Sequence, residues 1–248
     1  MITSIQNEQV KFLVKLHQRK FREKFGQFFI EGTHLVEEAF HSDWQIDQLI
    51  YTEQAEGKLP KWSYKLPSMV VSEQVFKHIT KTVQPQGIAA IIKMKNWENA
   101  SGKYTLLIDA IQDPGNLGTL IRTADAAGFS RVVLGKGTVD LFNDKVIRAT
   151  QGSLFHLPIF QNELVAEINE LQEKGVTIVA SAIDEKSVTY DKMTIDNNVA
   201  LIVGNEGAGI NKQLLNLADQ CIKIPIYGKA ESLNVSVAAG ILMYYIRK

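Results

Sequence analysis

From Tyr104 onward, short apolar runs alternate with stretches whose apolar positions recur at helical spacing. The runs at 106–110, 132–134, 157–160, 176–180, 199–203 and 222–226 predict strands, and the stretches near 117–127, 144–151, 164–174, 211–217 and 233–246 predict helices. Gly128 and Gly175 follow two of these helices, where a residue that accepts left-handed backbone is the expected stop. Such alternation predicts an α/β fold with a mainly parallel sheet covered by helices on both faces. Residues 1 to about 95 predict a smaller α/β unit. There Val10, Leu13, Val14 and Leu16 give a first helix its apolar face, and Phe28-Phe29-Ile30 is a short strand. Thr33 caps a helix through Leu35 and Phe40, and Ser72 caps one through Val75, Phe76 and Ile79. Further strands fall at 48–51, 69–71 and 88–92. Residues 96–103 break the pattern and predict a linker, dividing the chain into 1–95, 96–103 and 104–248.

A chain of 248 residues, 45% hydrophobic and 22% charged, has room for a sizeable core. No apolar run approaches the roughly 18–20 residues needed to span a bilayer. The start, Met1-Ile2-Thr3-Ser4, lacks the layout of a secretion signal. The single cysteine, Cys221, lies in a strand-like segment and reads as a small core residue rather than a nucleophile. A cytoplasmic protein is expected. Net charge is zero, which argues weakly against a nucleic-acid partner. The charge is uneven, however. Lys11, Lys15, Arg19, Lys20, Arg22 and Lys24 crowd the first helical segment, opposed by Glu8 and Glu23. Lys11, Lys15 and Arg19 recur at four-residue spacing and predict one basic stripe, which suits a phosphate backbone or is simply a solvated helix face.

Three predicted strands run straight into polar loops, and ligands in α/β sheets sit beyond such strand ends. The first loop holds Asp113-Pro114-Gly115-Asn116, a turn in which Asn116 is the expected helix cap, and Arg122 follows within the helix in reach of Asp125. The second is Gly204-Asn205-Glu206-Gly207-Ala208-Gly209, where a turn explains the glycines but not the carboxylate of Glu206. The third contains Ser232-Leu233-Asn234, of which one polar residue can cap the helix that follows. The glycine spacings fit neither a dinucleotide fingerprint nor a Walker A loop, and no G-x-S-x-G elbow is present. His17, His34, His41, His78 and His156 show no metal-ligand spacing, so no metal is expected.

Asn116 with Arg122 six residues on, then Asn205-Glu206-Gly207, then Ser232-Leu233-Asn234-Val235-Ser236 resemble the three ordered motifs of the SpoU/TrmH family. These are ribose 2′-O-methyltransferases of the SPOUT superfamily that use S-adenosylmethionine. The likeness runs from about Tyr104 to the end. Residues 29–39 also resemble the opening of the small RNA-binding domain that precedes the catalytic part in bacterial rRNA members.

The resemblance implies a C-terminal trefoil knot, a fold that sequence physics would not predict. It implies a homodimer through the knot helices, and a methyl donor held by Gly204, Asn205, Gly207, Ile224, Ile226 and Leu233. Asn116, Arg122, Glu206, Ser232 and Asn234 are the implied catalytic set. A guanidinium keeps its proton in proteins, so Arg122 is expected to bind the phosphate beside the target ribose and stabilise the developing alkoxide. Lys11, Lys15, Arg19, Lys20 and Arg22 are expected to hold RNA, with large-subunit rRNA favoured by the attached N-terminal domain. A tRNA 2′-O-methyltransferase, or a non-catalytic RNA-binding factor that keeps the fold, is the alternative.

Overall fold

The computed structural model describes residues 1–98, 102–183, 187–194 and 198–248, and the chain divides into two units. The first comprises Met1–Lys95 with Asp140–Phe155, the second Asn96–Val139 with His156–Lys248. Of the predicted linker 96–103, residues 99–101 lie outside the described residues.

The first unit runs α1 (Glu8–Lys15), α2 (Arg19–Phe25), β1 (Gln27–Glu31), α3 (Thr33–His41), β2 (Ile46–Thr52), the one-turn α4 (Glu53–Glu56), β3 (Ser68–Val71), α5 (Glu73–Ile79) and β4 (Ile88–Lys93). Its strands lie in the order β1-β4-β2-β3, antiparallel except for the β2–β3 pair. Successive strand residues face opposite ways, so Phe29, Ile50, Val71 and Ala89 share one face and meet Val10 and Leu13 of α1 and Phe76 and Ile79 of α5. Ser72 caps α5 as predicted, accepting from the Val75 N–H. Thr33 does not cap α3: the cap position is Gly32, whose φ of 98° is the left-handed side that glycine tolerates.

The predicted first helix is two helices, so Lys11, Lys15 and Arg19 do not form one stripe. Arg22, expected on an RNA-facing surface, turns inward and is 5% exposed. Its Nη1 donates to the Leu16 carbonyl at 2.9 Å, and its Nη2 forms an ion pair with Asp140. The Leu16 carbonyl, left without a partner inside α1 where that helix ends, is satisfied by this bond. Asp140 lies within the sequence span of the predicted second domain but packs with the first unit, along with Phe142 and Phe155. Phe142 lies 4.6 Å from the Phe28 ring and Phe155 packs edge-on to Trp44 at 5.6 Å. Removing one partner of a buried pair leaves an uncompensated charge, so Arg22→Ala should cost about 3 kcal/mol of stability in urea titration. A loss within error of zero would show that water reaches Asp140 freely.

The second unit runs β5 (Tyr104–Ile108), α6 (Pro114–Ala126), β6 (Arg131–Leu134), then, after α7 (Asp144–Thr150) of the first unit, β7 (Ile159–Gln161), α8 (Leu164–Glu173), β8 (Thr177–Ser181), β9 (Val188–Thr189), β10 (Val199–Val203), α9 (Lys212–Leu217), β11 (Gln220–Lys223) and α10 (Val235–Ile246). Its sheet has the order β7-β6-β5-β10-β8-β11-β9, and every pair is parallel. Leu107, Ile178, Ala200 and Ile202 point to α8 and α9, where Ile168, Leu171 and Leu214 cover them. On the other face α6 and α10 pack on each other and on β6 and β10. The strand predicted at 222–226 ends at Lys223, because Pro225 has no N–H to give a ladder. Cys221 is half-buried in β11 beside this core. No helix among the described residues is long and apolar enough to cross a membrane.

Candidate active site

Parallel register sets the carboxyl ends of β5 and β10 level, with Val203 opposite Ile108. The first and second loops therefore leave the sheet side by side. Asp109 donates its N–H to the Val203 carbonyl at 2.9 Å, and its Oδ2 accepts from the Asn211 N–H at the start of α9 at 2.7 Å. Ala110 follows at φ 54°, a left-handed backbone that a residue with a Cβ holds only under constraint. Its carbonyl accepts from Asn205 Nδ2 at 2.8 Å, which supplies that constraint.

Asp113, not Asn116, caps α6: its Oδ1 accepts from the Asn116 N–H at 2.8 Å, with Pro114 opening the helix. The Asn116 side chain is thereby released from capping, and it joins all three loops. Its Nδ2 donates to Glu206 Oε1 at 3.0 Å, and its Oδ1 accepts from Asn234 Nδ2 at 2.9 Å. Ser236 Oγ donates to the Asn116 carbonyl at 3.1 Å. Asn234 also caps α10, accepting the Ser236 N–H at 2.9 Å. Ser236 and Asp113 were not among the residues predicted for the site. Ser236 stood in the third quoted motif, and only the fold shows its hydroxyl on Asn116.

Asn205 organises the second loop, its Oδ1 accepting the N–H groups of Gly207 and Ala208 at 2.9 Å each. Gly204 is required there by contact: a Cβ would lie 2.5 Å from the Gly209 carbonyl and the Ile210 nitrogen. Glu206 projects back to the first loop. Burial pushes its carboxyl pKa up, but hydrogen bonds from Asn116, its own backbone and the N–H groups of Gln112 and Asp113 outweigh this and hold it below the usual range. It is an anion at neutral pH.

Behind the clasp lies a cavity of about 810 Å³. Gly204, Asn205, Glu206, Gly207, Ile224, Ile226, Ser232, Leu233 and Asn234, all predicted for the site, line it. Ile183, Leu215 and Val235 extend its apolar wall. Apolar walls beside the exposed backbone of two loops suit a ligand with a flat hydrophobic part and polar edges. Arg122 does not line the cavity. It lies on the exposed face of α6, and no hydrogen bond or ion pair holds its guanidinium among the described residues. The Asp125 suggested as its partner instead faces His156, with Oδ2 3.7 Å from Nδ1. No cluster of metal-ligating side chains occurs among the described residues.

On the first unit, Lys11 is tied to Glu8 at 2.9 Å and Arg19 to Glu23 at 2.7 Å. Lys15 and Lys20 are exposed without a carboxylate partner among the described residues. With Arg22 buried, the predicted basic set is smaller than its sequence suggests.

Residues 103–244 match the SpoU rRNA Methylase family, and residues 7–90 match an MRM3-like substrate binding domain. The 23S rRNA (guanosine(2553)-2′-O)-methyltransferase RlmP of Bacillus subtilis is 44% identical over 99% of this chain and 98% of its own. A crystal structure of an AdoMet-bound rRNA methyltransferase from Sinorhizobium meliloti superposes with a TM-score of 0.89 at 34% identity, covering 99% of this chain and 96% of that one. An RNA 2′-O ribose methyltransferase structure superposes at 0.84 with 30% identity, covering 99% and 97%.

Proposed function

The chain belongs to the SpoU rRNA Methylase family, and from that premise we propose that it transfers a methyl group to a ribose 2′-hydroxyl of 23S rRNA. S-adenosylmethionine is the donor. Full-length identity of 44% to an enzyme of that activity supports rRNA over tRNA as substrate. The observation that carries the catalytic reading is Asn116, whose one side chain holds Glu206 and Asn234 at the mouth of the cavity. A fold kept only for RNA binding has no need of that clasp.

The residues present fit the donor. Ile224, Ile226 and Leu233 offer apolar surface to an adenine ring, and the backbone around Gly204 and Leu233 offers hydrogen bonds to its edge. When bound, S-adenosylmethionine supplies a methyl group already activated on a sulfonium, which leaves the chain the tasks of alignment and proton removal. Arg122 binds the phosphate next to the target ribose and stabilises the developing alkoxide, and the 2′-hydroxyl proton leaves through that phosphate or a water. Glu206 and Asn234 fix the loops that orient the ribose.

The second unit carries the catalytic part, within the predicted 104–248, and the first unit, residues 1–95 joined by Asp140–Phe155, binds RNA, a reading supported by the substrate-binding match to residues 7–90. The predicted knot is consistent with a chain that leaves β10, passes to β11 beyond β8, and returns in α10 to pack on α6. Val237, Ile241 and Tyr244 of α10 are 52%, 38% and 57% exposed at helical spacing, and α10 packs on α6, the helix that carries Arg122. A homodimer through this face would cover the stripe and set Arg122 at the interface. Ile241→Glu should then convert a dimer to a monomer in analytical ultracentrifugation, and a monomeric parent protein would exclude the assembly. Action on ribosomal RNA fits the expected cytoplasmic location.

The deciding experiment is transfer of labelled methyl to unmodified 23S rRNA and, separately, tRNA. Label in rRNA that survives alkaline hydrolysis as a protected dinucleotide is expected. Label in tRNA alone would overturn the substrate, and failure to bind the donor would return the non-catalytic reading.

A further inference from the structure

Beneath α1, against the first unit's sheet, lies a further pocket of about 420 Å³. Phe12, Leu13 and Met69 give it an apolar floor and wall, and Gln27, Asp47 and Gln48 give it a polar rim. Asp47 is aimed by a backbone irregularity. In the β2–β4 register Ile46 pairs with Ile92 and Gln48 with Ile91, so Asp47 is the extra residue of a bulge. Bulges redirect side chains in this way and cost regular pairing to do so. Gln27 Nε2 donates to Asp47 Oδ2 at 2.6 Å, and Gln45 Nε2 to Oδ1 at 2.8 Å. Each carboxylate oxygen can accept more than one bond, so among the described residues the fixed carboxylate keeps one acceptor site open on each oxygen.

An aromatic and cationic surface continues from the pocket wall. Phe25, 41% exposed, meets Phe12 edge-on at 5.0 Å and stacks with Phe21 at 6.3 Å and 12°. Lys15 Nζ lies 5.8 Å from the Phe21 ring centre and Lys24 Nζ 5.5 Å from that of Phe25. Exposed aromatic faces flanked by lysines are what unpaired RNA stacks on, while its phosphates meet the cations.

We propose that this pocket binds one unpaired guanine of the substrate RNA, with Asp47 reading its edge and the adjoining nucleotide stacking on Phe25. Guanine is the base that presents two neighbouring N–H donors, N1–H and the 2-amino group, to a paired acceptor. Adenine, cytosine and uracil each set an acceptor beside their donor there and meet the carboxylate with repulsion. The inference rests on the reading of the first unit as the RNA-binding part, and it names what that part reads. It also explains a half-buried carboxylate in the middle of a surface that otherwise attracts phosphate.

The test uses the full-length protein and fluorescein-labelled oligoribonucleotides, oligouridine with a central G, A or C and oligouridine alone. The G-containing oligomer should bind about tenfold or more tighter than the others, the size of one good base-edge pair. Asp47→Asn should abolish that preference without weakening the binding of plain oligouridine, since it removes a negative charge from the surface. Phe25→Ala should weaken all four by about five- to tenfold through lost stacking. Equal binding of all four oligomers, no binding of any, or a preference retained in Asp47→Asn would overturn the proposal. Methyl transfer to 23S rRNA, measured on the same preparation, separates the two readings. Transfer without guanine preference sinks the pocket alone, and guanine preference without transfer sinks the catalytic assignment alone.

Discussion

Arg122→Lys should lower single-turnover methyl transfer about a hundredfold, roughly 2.7 kcal/mol of transition-state stabilisation, with donor affinity unchanged. The side chain lies outside the cavity wall and is not engaged by other groups among the described residues, so its replacement disturbs no packing within the protomer. What changes is the shape of the cation. A guanidinium presents paired N–H donors in a plane and meets two phosphate oxygens at once, whereas an ammonium is a point charge that fixes no orientation. Calorimetric donor binding and rapid-quench transfer measured side by side make the comparison. Full activity in the lysine variant would reduce Arg122 to a general attraction for RNA.

Asn116→Asp is expected to do more, because it attacks the clasp itself. The substitution keeps the shape of the side chain but turns the donor that lies 3.0 Å from Glu206 Oε1 into an acceptor. Two carboxylates at that distance repel by on the order of 1–2 kcal/mol even when solvent screens them, and the bond to Glu206 is lost as well. The first and second loops should separate, with donor affinity and transfer both falling by about a hundredfold or more. The pH dependence supplies a signature. In the parent protein the Glu206 pKa is held below its ordinary value, so the clasp is fully formed above that value and is lost only as pH falls through the lowered one. In Asn116→Asp the shared site favours one proton, so donor binding should improve on mild acidification while the parent's does not. Equal pH profiles would show that Asn116 and Glu206 are not coupled.

The parallel sheet was legible because buried strands read as uninterrupted apolar runs, and the three loops were legible because they follow such runs. Local reasoning failed where a neighbour in sequence and a neighbour in space offered the same service. Asn116 and Asp113 are both good caps, and only packing decides that Asp113 takes the role and frees Asn116 for Glu206 and Asn234. Arg22 looked like its basic neighbours until Asp140, more than a hundred residues on, drew it inward. Asp47 carried no signal at all, since a bulge is a property of two paired strands rather than of one.

The placement of Asp140–Phe155 bears on how the protein can be taken apart. A fragment ending at residue 95 would keep Arg22, Phe28 and Trp44 and lose Asp140, Phe142 and Phe155, their partners in the first unit. It would carry a buried cation without its anion and an uncovered aromatic face, a combination that favours aggregation over folding. A first unit that stands alone must carry residues 140–155 with it, joined through a new connection.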